Sequence, residues 1–216
     1  MKTLVIVDVQ HDFYHPTGSL YVSGGEEVLE PIKKLILEDK TINQIIFTLD
    51  WHTPEDKSFE TWPPHCIQHS PGACLNQEIL EAVWKRGFKS VDGKYEGAEL
   101  NKEFLNMTYD TFLKGDRTEQ EEYGAFENYY GKEGDCISFS SISEESVSYL
   151  IPNNDIIVCG LAGDYCVMET TENLLRLSES FGEITLFYPG IRSIDGGEKL
   201  KTWANKVGIK EYNYEL

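Results

Sequence analysis

Short runs of branched and aromatic residues alternate along this chain with longer stretches in which apolar positions recur every three or four residues. The first run, Thr3–Val9, reads TLVIVDV, and the second covers Gln44–Leu49. A weaker run lies at Thr111–Leu113, and others follow at Asp155–Cys159, Ile184–Tyr188 and Lys210–Tyr214. Their β-branched and aromatic content predicts six strands. Between the first two, Val28, Leu29, Ile32, Leu35 and Ile36 fall at helical spacing, and Pro31 suits the first turn of that helix. Asp164–Ser180, with Val167, Thr171, Leu174, Leu175 and Leu177 on one side, predicts a second helix, and Gly196–Val207 a third. Ser143-Glu144-Glu145 reads as a capped, acid-rich helix start. The stretch from Gln77 to Tyr109 is long for a plain connection and is expected to carry one or two short helices over the sheet edge. Strands alternating with helices imply an α/β fold: a doubly wound, mostly parallel six-stranded sheet with helices on both faces, a Rossmann-like three-layer arrangement. No internal repeat or linker breaks the pattern, so a single domain over residues 1–216 is expected.

Composition and charge narrow the function classes. A chain of 216 residues can bury a large sheet. The formal net charge of −18 argues against a nucleic-acid or anionic-membrane partner, because phosphate binding needs a basic face. The dense acids between Asp116 and Asp135 read as a solvated surface. No apolar stretch approaches a membrane span, and MKTLVIVDVQ runs into a strand pattern without the features of a signal peptide, so a cytoplasmic location is expected. The five cysteines, at 66, 74, 136, 159 and 166, are odd in number and form no CxxC pair, which disfavours a disulfide framework.

Candidate chemistry collects at the predicted strand ends, where doubly wound sheets assemble their sites. Asp8 closes the first strand inside an apolar run, so it is either paired in a structural role or functional. Asp12, in the following loop, reads as structural. After the second strand, Asp50 and His52 lie two apart and point to one side of an extended segment, and His65 follows a Pro-Pro pair. Two histidines and a carboxylate can form an open metal site for Zn, Fe or Mn; the other reading is a polar loop with surface histidines. His11, His15 and His69 lack comparable partners. Lys114 ends the third strand, where it could neutralise Asp8, although most lysines are surface groups. In GLAGDYCVMETT, residues 160–171, Cys166 falls at the start of a helix. Burial makes packing filler the default reading for a cysteine, whereas the positive end of a helix favours a reactive thiolate.

Taken together, DVQHDF at 8–13, DWH at 50–52, WPPHC at 62–66, LKG at 113–115, YGAF at 123–126 and GLAGDYCV at 160–167 closely resemble the nicotinamidases among the isochorismatase-like cysteine hydrolases. The motifs stand in the family's order across nearly the whole chain. The resemblance implies a catalytic triad of Asp8, Lys114 and Cys166, and an oxyanion hole from the backbone N–H groups of Ala162 and Cys166, with a cis peptide before Ala162. It implies one divalent metal held by Asp50, His52 and His65, most readily Zn, with Fe or Mn as alternatives. A fourth ligand is to be sought among Asp56, Lys57, Ser58 and Glu60, with Ser58 preferred. Phe13, Trp62 and Tyr123 are the aromatic residues expected to hold a pyridine ring. The implied reaction is hydrolysis of nicotinamide to nicotinate and ammonia through a thioester, in NAD salvage, and the implied partner is a small neutral amide. Relatives are often oligomeric, so a homo-oligomer is an open expectation.

Two departures stand out. YGAF has glycine where the family often has serine, and the Gln77–Tyr109 and ENYYGKEGDCISFSS segments look longer than in compact members. The rival readings are a related hydrolase of carbamoyl, ureido or maleamate-type amides, isochorismatase itself, which needs no cysteine, and a non-catalytic metabolite-binding module on the same fold.

Overall fold

A computed structural model describes residues 1–90, 107–115, 123–126, 154–176 and 181–214. The expected helix start at Ser143, the acidic run beyond Asp116, the ENYYGKEGDCISFSS segment and most of LNKEFLNM lie outside the described residues.

The described chain builds one seven-stranded sheet: β1 Lys2–Val7, β2 Ile42–Asp50, β3 Lys89–Ser90, β4 Thr108–Lys114, β5 Asp155–Gly160, β6 Ile184–Ile191 and β7 Lys210–Glu211. Their order is β3-β4-β2-β1-β5-β6-β7, and every pairing is parallel. The six predicted strands are all present. The seventh, β3, consists of two residues on the sheet edge beside Thr108 and Tyr109, too short to leave a periodicity in the sequence. Continuous apolar runs mark strands covered on both faces, and Leu4–Val7, Ile45, Phe47 and Ile156–Cys159 are accordingly buried. Each such side chain contributes roughly 1.5–3 kcal/mol through burial.

Among the described residues the helices are α1 His11–Tyr14, α2 Leu29–Glu38, α3 Gln77–Arg86, α4 Met168–Arg176 and α5 Glu198–Val207. Pro31 sits in the first turn of α2, as predicted. Asn76 caps α3 by accepting from Ile79 N at 3.1 Å, and Gly87 ends it with a left-handed φ of 94°. Helices α2 and α3 pack on each other. From β1 the chain winds through α2 toward β2 on one side, and from β5 it winds through α4 toward β6 on the other. Right-handed crossovers in opposite directions put helices on opposite faces. The order therefore reverses between β1 and β5, and a crevice opens beyond their carboxyl ends.

Candidate active site

The chain leaves β1 at Asp8, whose φ of 49° is left-handed, a conformation that aspartate tolerates better than branched residues do. Its N–H donates to the Thr48 carbonyl at 3.1 Å, and the Thr48 hydroxyl donates to Asp8 Oδ1 at 2.6 Å. Lys114 Nζ lies 2.8 Å from Asp8 Oδ2. In the β2–β4 register Asp50 is level with Lys114, so the same ammonium also donates to Asp50 Oδ1. Lys114 is thus a buried cation shared by two buried carboxylates, a tighter role than neutralising Asp8 alone. Burial works against its charge, but Asp50 and Asp8 hold its pKa well above the ordinary lysine value.

The two carboxylates behave differently. Burial pushes Asp8 up, Lys114 opposes this and Asp50 adds to it, leaving its pKa at about 6. Burial also works against Asp50, yet Lys114 and the imidazoles of His52 and His65 hold it well below the usual carboxylate range. Gln10, fully buried, clamps the Asp50 backbone: its Oε1 accepts from Asp50 N and its Nε2 donates to Asp50 O, each at 2.8 Å.

Cys166 lies in a π-helical turn, Gly163–Val167, which precedes α4 and is closed by Val167 N donating to the Ala162 carbonyl at 3.1 Å. The predicted continuous helix from Asp164 therefore begins with a wider turn, and residues 177–180 fall outside the described residues. Cys166 Sγ, an Asp8 oxygen and an Asp50 oxygen all lie within 4.8 Å of one another. A helix start does not by itself make this cysteine acidic. Burial pushes the thiol well up; Lys114 works against this, and the nearby Asp8 and Asp50 add to it. The resting group is a thiol beside a carboxylate.

The Leu161–Ala162 peptide bond is cis. Ala162 and Cys166 line the same cleft. Two glycines make this turn possible. A Cβ on Gly160, whose φ is 122°, would sit 2.0 Å from the Val7 carbonyl oxygen, and one on Gly163 would sit 2.2 Å from Ser193 Oγ.

Asp50, His52 and His65 are buried, with one ligand atom from each within 4.8 Å of the others. Both His52 Nε2 and His65 Nε2 lie 3.6 Å from Asp50 Oδ2. His65 Nδ1 is 2.8 Å from the Pro63 carbonyl, a contact that places its proton on Nδ1 and leaves Nε2 as a donor to a metal. Of the four candidates for a further ligand, Lys57 and Glu60 are exposed and Asp56 lies beyond His52 Nδ1. Ser58 lines the cleft, and its buried Oγ has no hydrogen-bond partner among the described residues. One carboxylate, two imidazoles and an unpaired hydroxyl fit a divalent metal.

Phe13, Trp62 and Tyr123 line the same cleft, joined by Leu20, Val22, Tyr165 and Ile194. Phe13 meets the His65 ring edge-on at 5.4 Å, and Trp62 Nε1 donates to Tyr123 Oη at 3.0 Å. Tyr165 packs at 5.4 Å from both Trp62 and Tyr123. YGAF is pinned to α4 through Ala125, whose N–H donates to Thr170 Oγ1 at 3.1 Å and whose carbonyl accepts from Asn173 Nδ2 at 2.9 Å. A Cβ on Gly124 would approach Asn173 Nδ2 to 2.7 Å and the Glu169 backbone carbon to 2.9 Å, which accounts for the glycine of YGAF.

All the predicted site residues converge on one cleft or its immediate wall. Asp12 is structural, accepting from Cys66 N at 2.8 Å and Ser19 N at 3.2 Å. His11 and His15 stack on each other at 4.6 Å, and His69 meets Trp51. Cys66, Cys74, Cys159 and Cys166 are free thiols. Gln10 and Tyr165 were missed as site residues, and Asp56, considered as a fourth ligand, stands instead behind His52. The signals for Gln10 and Tyr165 were their places inside DVQHDF and GDYC.

No protein-family model matches the chain. A nicotinamidase of Saccharomyces cerevisiae is 27% identical over 206 residues, covering 82% of this chain and 82% of that protein. Among solved structures, the yeast nicotinamidase Pnc1p superposes with a TM-score of 0.73 at 23% identity, covering 98% of this chain and 99% of that one. The pyrazinamidase of Pyrococcus horikoshii in complex with zinc gives 0.66 at 23% identity, covering 99% of each chain. The structural likenesses carry the fold. Among the described residues no helix is long and apolar enough to cross a membrane.

Proposed function

We propose that this chain is a nicotinamidase of the isochorismatase-like hydrolase superfamily, converting nicotinamide to nicotinate and ammonia through a cysteine thioester, in NAD salvage. The observation that carries the reading is the meeting of Cys166 Sγ with the Asp8 carboxylate within 4.8 Å, beside a buried lysine and an aromatic cleft. The cleft wall combines flat aromatic and aliphatic side chains with no arginine or lysine among the described lining residues. That lining suits a neutral aromatic amide and places no arginine or lysine to pair with a carbamoyl or maleamate-type anion. A non-catalytic module would have no need of a buried Asp–Lys–Cys constellation.

In the proposed reaction Asp8 takes the thiol proton of Cys166, and the sulfur forms a bond to the carboxamide carbon. The N–H groups of Ala162 and Cys166 receive the oxyanion, a contribution of about 3–4 kcal/mol per donor. Asp8 then returns the proton to the departing nitrogen as the C–N bond breaks, leaving a thioester and ammonia. In the second half Asp8 takes a proton from water as its oxygen attacks the thioester carbon, and passes it to the sulfur as the S–C bond breaks. Lys114 keeps Asp8 ionised at the outset and fixes its position.

Asp50, His52 and His65, with Ser58 as the fourth candidate, would hold the metal, for which zinc is the first choice. When bound, it supplies a Lewis-acid anchor for the pyridine nitrogen. Phe13, Trp62, Tyr123 and Tyr165 would hold the ring while the carboxamide faces Cys166. Because the substrate is neutral, steering by the acidic surface contributes little.

An ammonia-release assay on nicotinamide, pyrazinamide and maleamate, with Cys166→Ala as control, tests the proposal. Nicotinamide should be cleaved, and the variant should lose about 10⁴-fold or more while keeping its fold. A variant that retained most activity, or a wild type that cleaved maleamate and left nicotinamide intact, would sink it.

A further inference from the structure

Behind the candidate metal cluster two buried polar atoms face each other. His52 Nδ1 and Asp56 Oδ2 lie 3.3 Å apart, and their side chains are 4% and 2% exposed. Neither atom makes a well-aligned hydrogen bond, to the other or to any other group, among the described residues. The opposite edge of the same ring carries Nε2, 3.6 Å from Asp50 Oδ2. Asp56 therefore stands behind His52 and cannot join the cluster that Nε2 faces.

Building on the metal site proposed above, we infer that Asp56 is its positioning residue: the carboxylate accepts the His52 Nδ1–H, fixes the tautomer that leaves Nε2 free to bind the ion, and places a negative charge behind that ligand. A buried carboxylate oxygen and a buried ring N–H each need a partner, and these two, otherwise unsatisfied, stand 3.3 Å apart. Carboxylates in this position raise the basicity of a ligating imidazole. The ring has little freedom to turn away. Phe59 meets it edge-on at 5.5 Å, and Gly115 leaves it room: a Cβ there would come within 2.7 Å of His52 Cε1.

The two imidazoles are consequently unequal. His65 Nδ1 faces the neutral Pro63 carbonyl at 2.8 Å, whereas His52 Nδ1 faces a carboxylate oxygen at 3.3 Å. The same Asp56 accepts from Ser58 N at 2.8 Å through Oδ1, capping the short helical turn Lys57–Glu60. One carboxylate thus orients a metal-facing imidazole and the segment bearing the unpaired Ser58 hydroxyl.

The competing explanation is that Asp56 merely caps that turn. Asn and Ser are also good caps, but neither supplies a charge behind His52. Zinc affinity of the full chain, measured by competition with a chromogenic chelator, should fall 10–100-fold in both Asp56→Asn and Asp56→Ser. The melting temperature of the metal-free protein should stay near that of the wild type. Unchanged zinc affinity in folded variants would overturn the inference. Nitrogen-15 NMR of the zinc-loaded wild type provides a reading that depends on no variant: His52 should carry its proton on Nδ1. A proton on Nε2, or a wild type that binds no zinc, would also overturn it. Neither readout uses ammonia release. A protein that bound zinc in an Asp56-dependent way but hydrolysed no amide would sink the proposed reaction and leave this inference standing.

Discussion

Asp8 and Asp50 are the same residue type at the carboxyl ends of neighbouring parallel strands, both buried and both touching Lys114. Their electrostatics nevertheless diverge. Asp8 has Thr48, one share of a lysine and a thiol as neighbours, and its pKa rises to about 6. Asp50 has the other share of that lysine and two imidazoles, and stays well below the ordinary range. The first is poised to accept and release a proton near neutrality, and the second is a permanent anion suited to a metal. Pairs of titratable groups pushed apart in this way mark the division of labour in a site. Here the division follows from the count of cationic and hydrogen-bonding neighbours on each side.

Exchanging each acid for its amide should separate the two roles. Asp8→Asn is expected to lower kcat for ammonia release by about 10²–10⁴-fold, the usual worth of a general acid–base, while zinc content measured on the purified protein stays at the wild-type level. Asp50→Asn should instead lose the metal. If Asp8→Asn lost zinc and kept its rate, the two assignments would be reversed.

Lys114→Met strikes at what the two halves share. Removing one partner from a buried ionic cluster costs about 3–5 kcal/mol of stability, readable as a lower denaturant midpoint. With the cation gone, ionising Asp8 becomes harder, so the acid limb of the rate profile should move to higher pH. An unchanged midpoint and profile would make the lysine incidental.

In the proposed reaction, Asp8 must be ionised to take the thiol proton. Because its pKa lies near 6, above the ordinary 3.8, kcat/KM should be flat above that pH and fall about tenfold per pH unit below it. A profile flat down to pH 4.5 would contradict the assignment of Asp8 as base. The smallest effect is expected at Cys159. It is buried in β5 with Sγ 3.7 Å from the Val5 carbonyl, away from the carboxylates. Cys159→Ala should cost about 1 kcal/mol of stability from lost packing and leave kcat unchanged.

Much of this site was legible in the sequence, for a physical reason. A parallel sheet buried on both faces writes its strands as apolar runs, and Asp8, Asp50 and Lys114 stand out because each ends such a run. Cys166 follows a fourth run after a glycine turn, which placed it near the others. The helix patterns at Val28–Ile36 and Gly196–Val207 agree with α2 and α5 within a few residues. The π-helical turn at Gly163–Val167 was not legible, because its wider hydrogen bonding leaves no mark on residue spacing. Gln10 was missed, and Asp56 was sought as a ligand and not behind His52, because their partners, the Asp50 backbone and His52 Nδ1, come within reach through folded loops.

The sequence by itself determined which chemical groups end the strands and that those ends gather in one layer, because apolar periodicity is a local property that the chain carries with it. Only the tertiary structure decided that Lys114 stands level with Asp50 and also within reach of Asp8, that Cys166 faces the carboxylate with fewer positive neighbours, and that Asp56 backs His52. Those outcomes depend on register between strands distant in the chain and on distances of a few ångströms in a buried setting. There the neighbours, more than the residue type, fix whether an aspartate holds a metal or moves a proton.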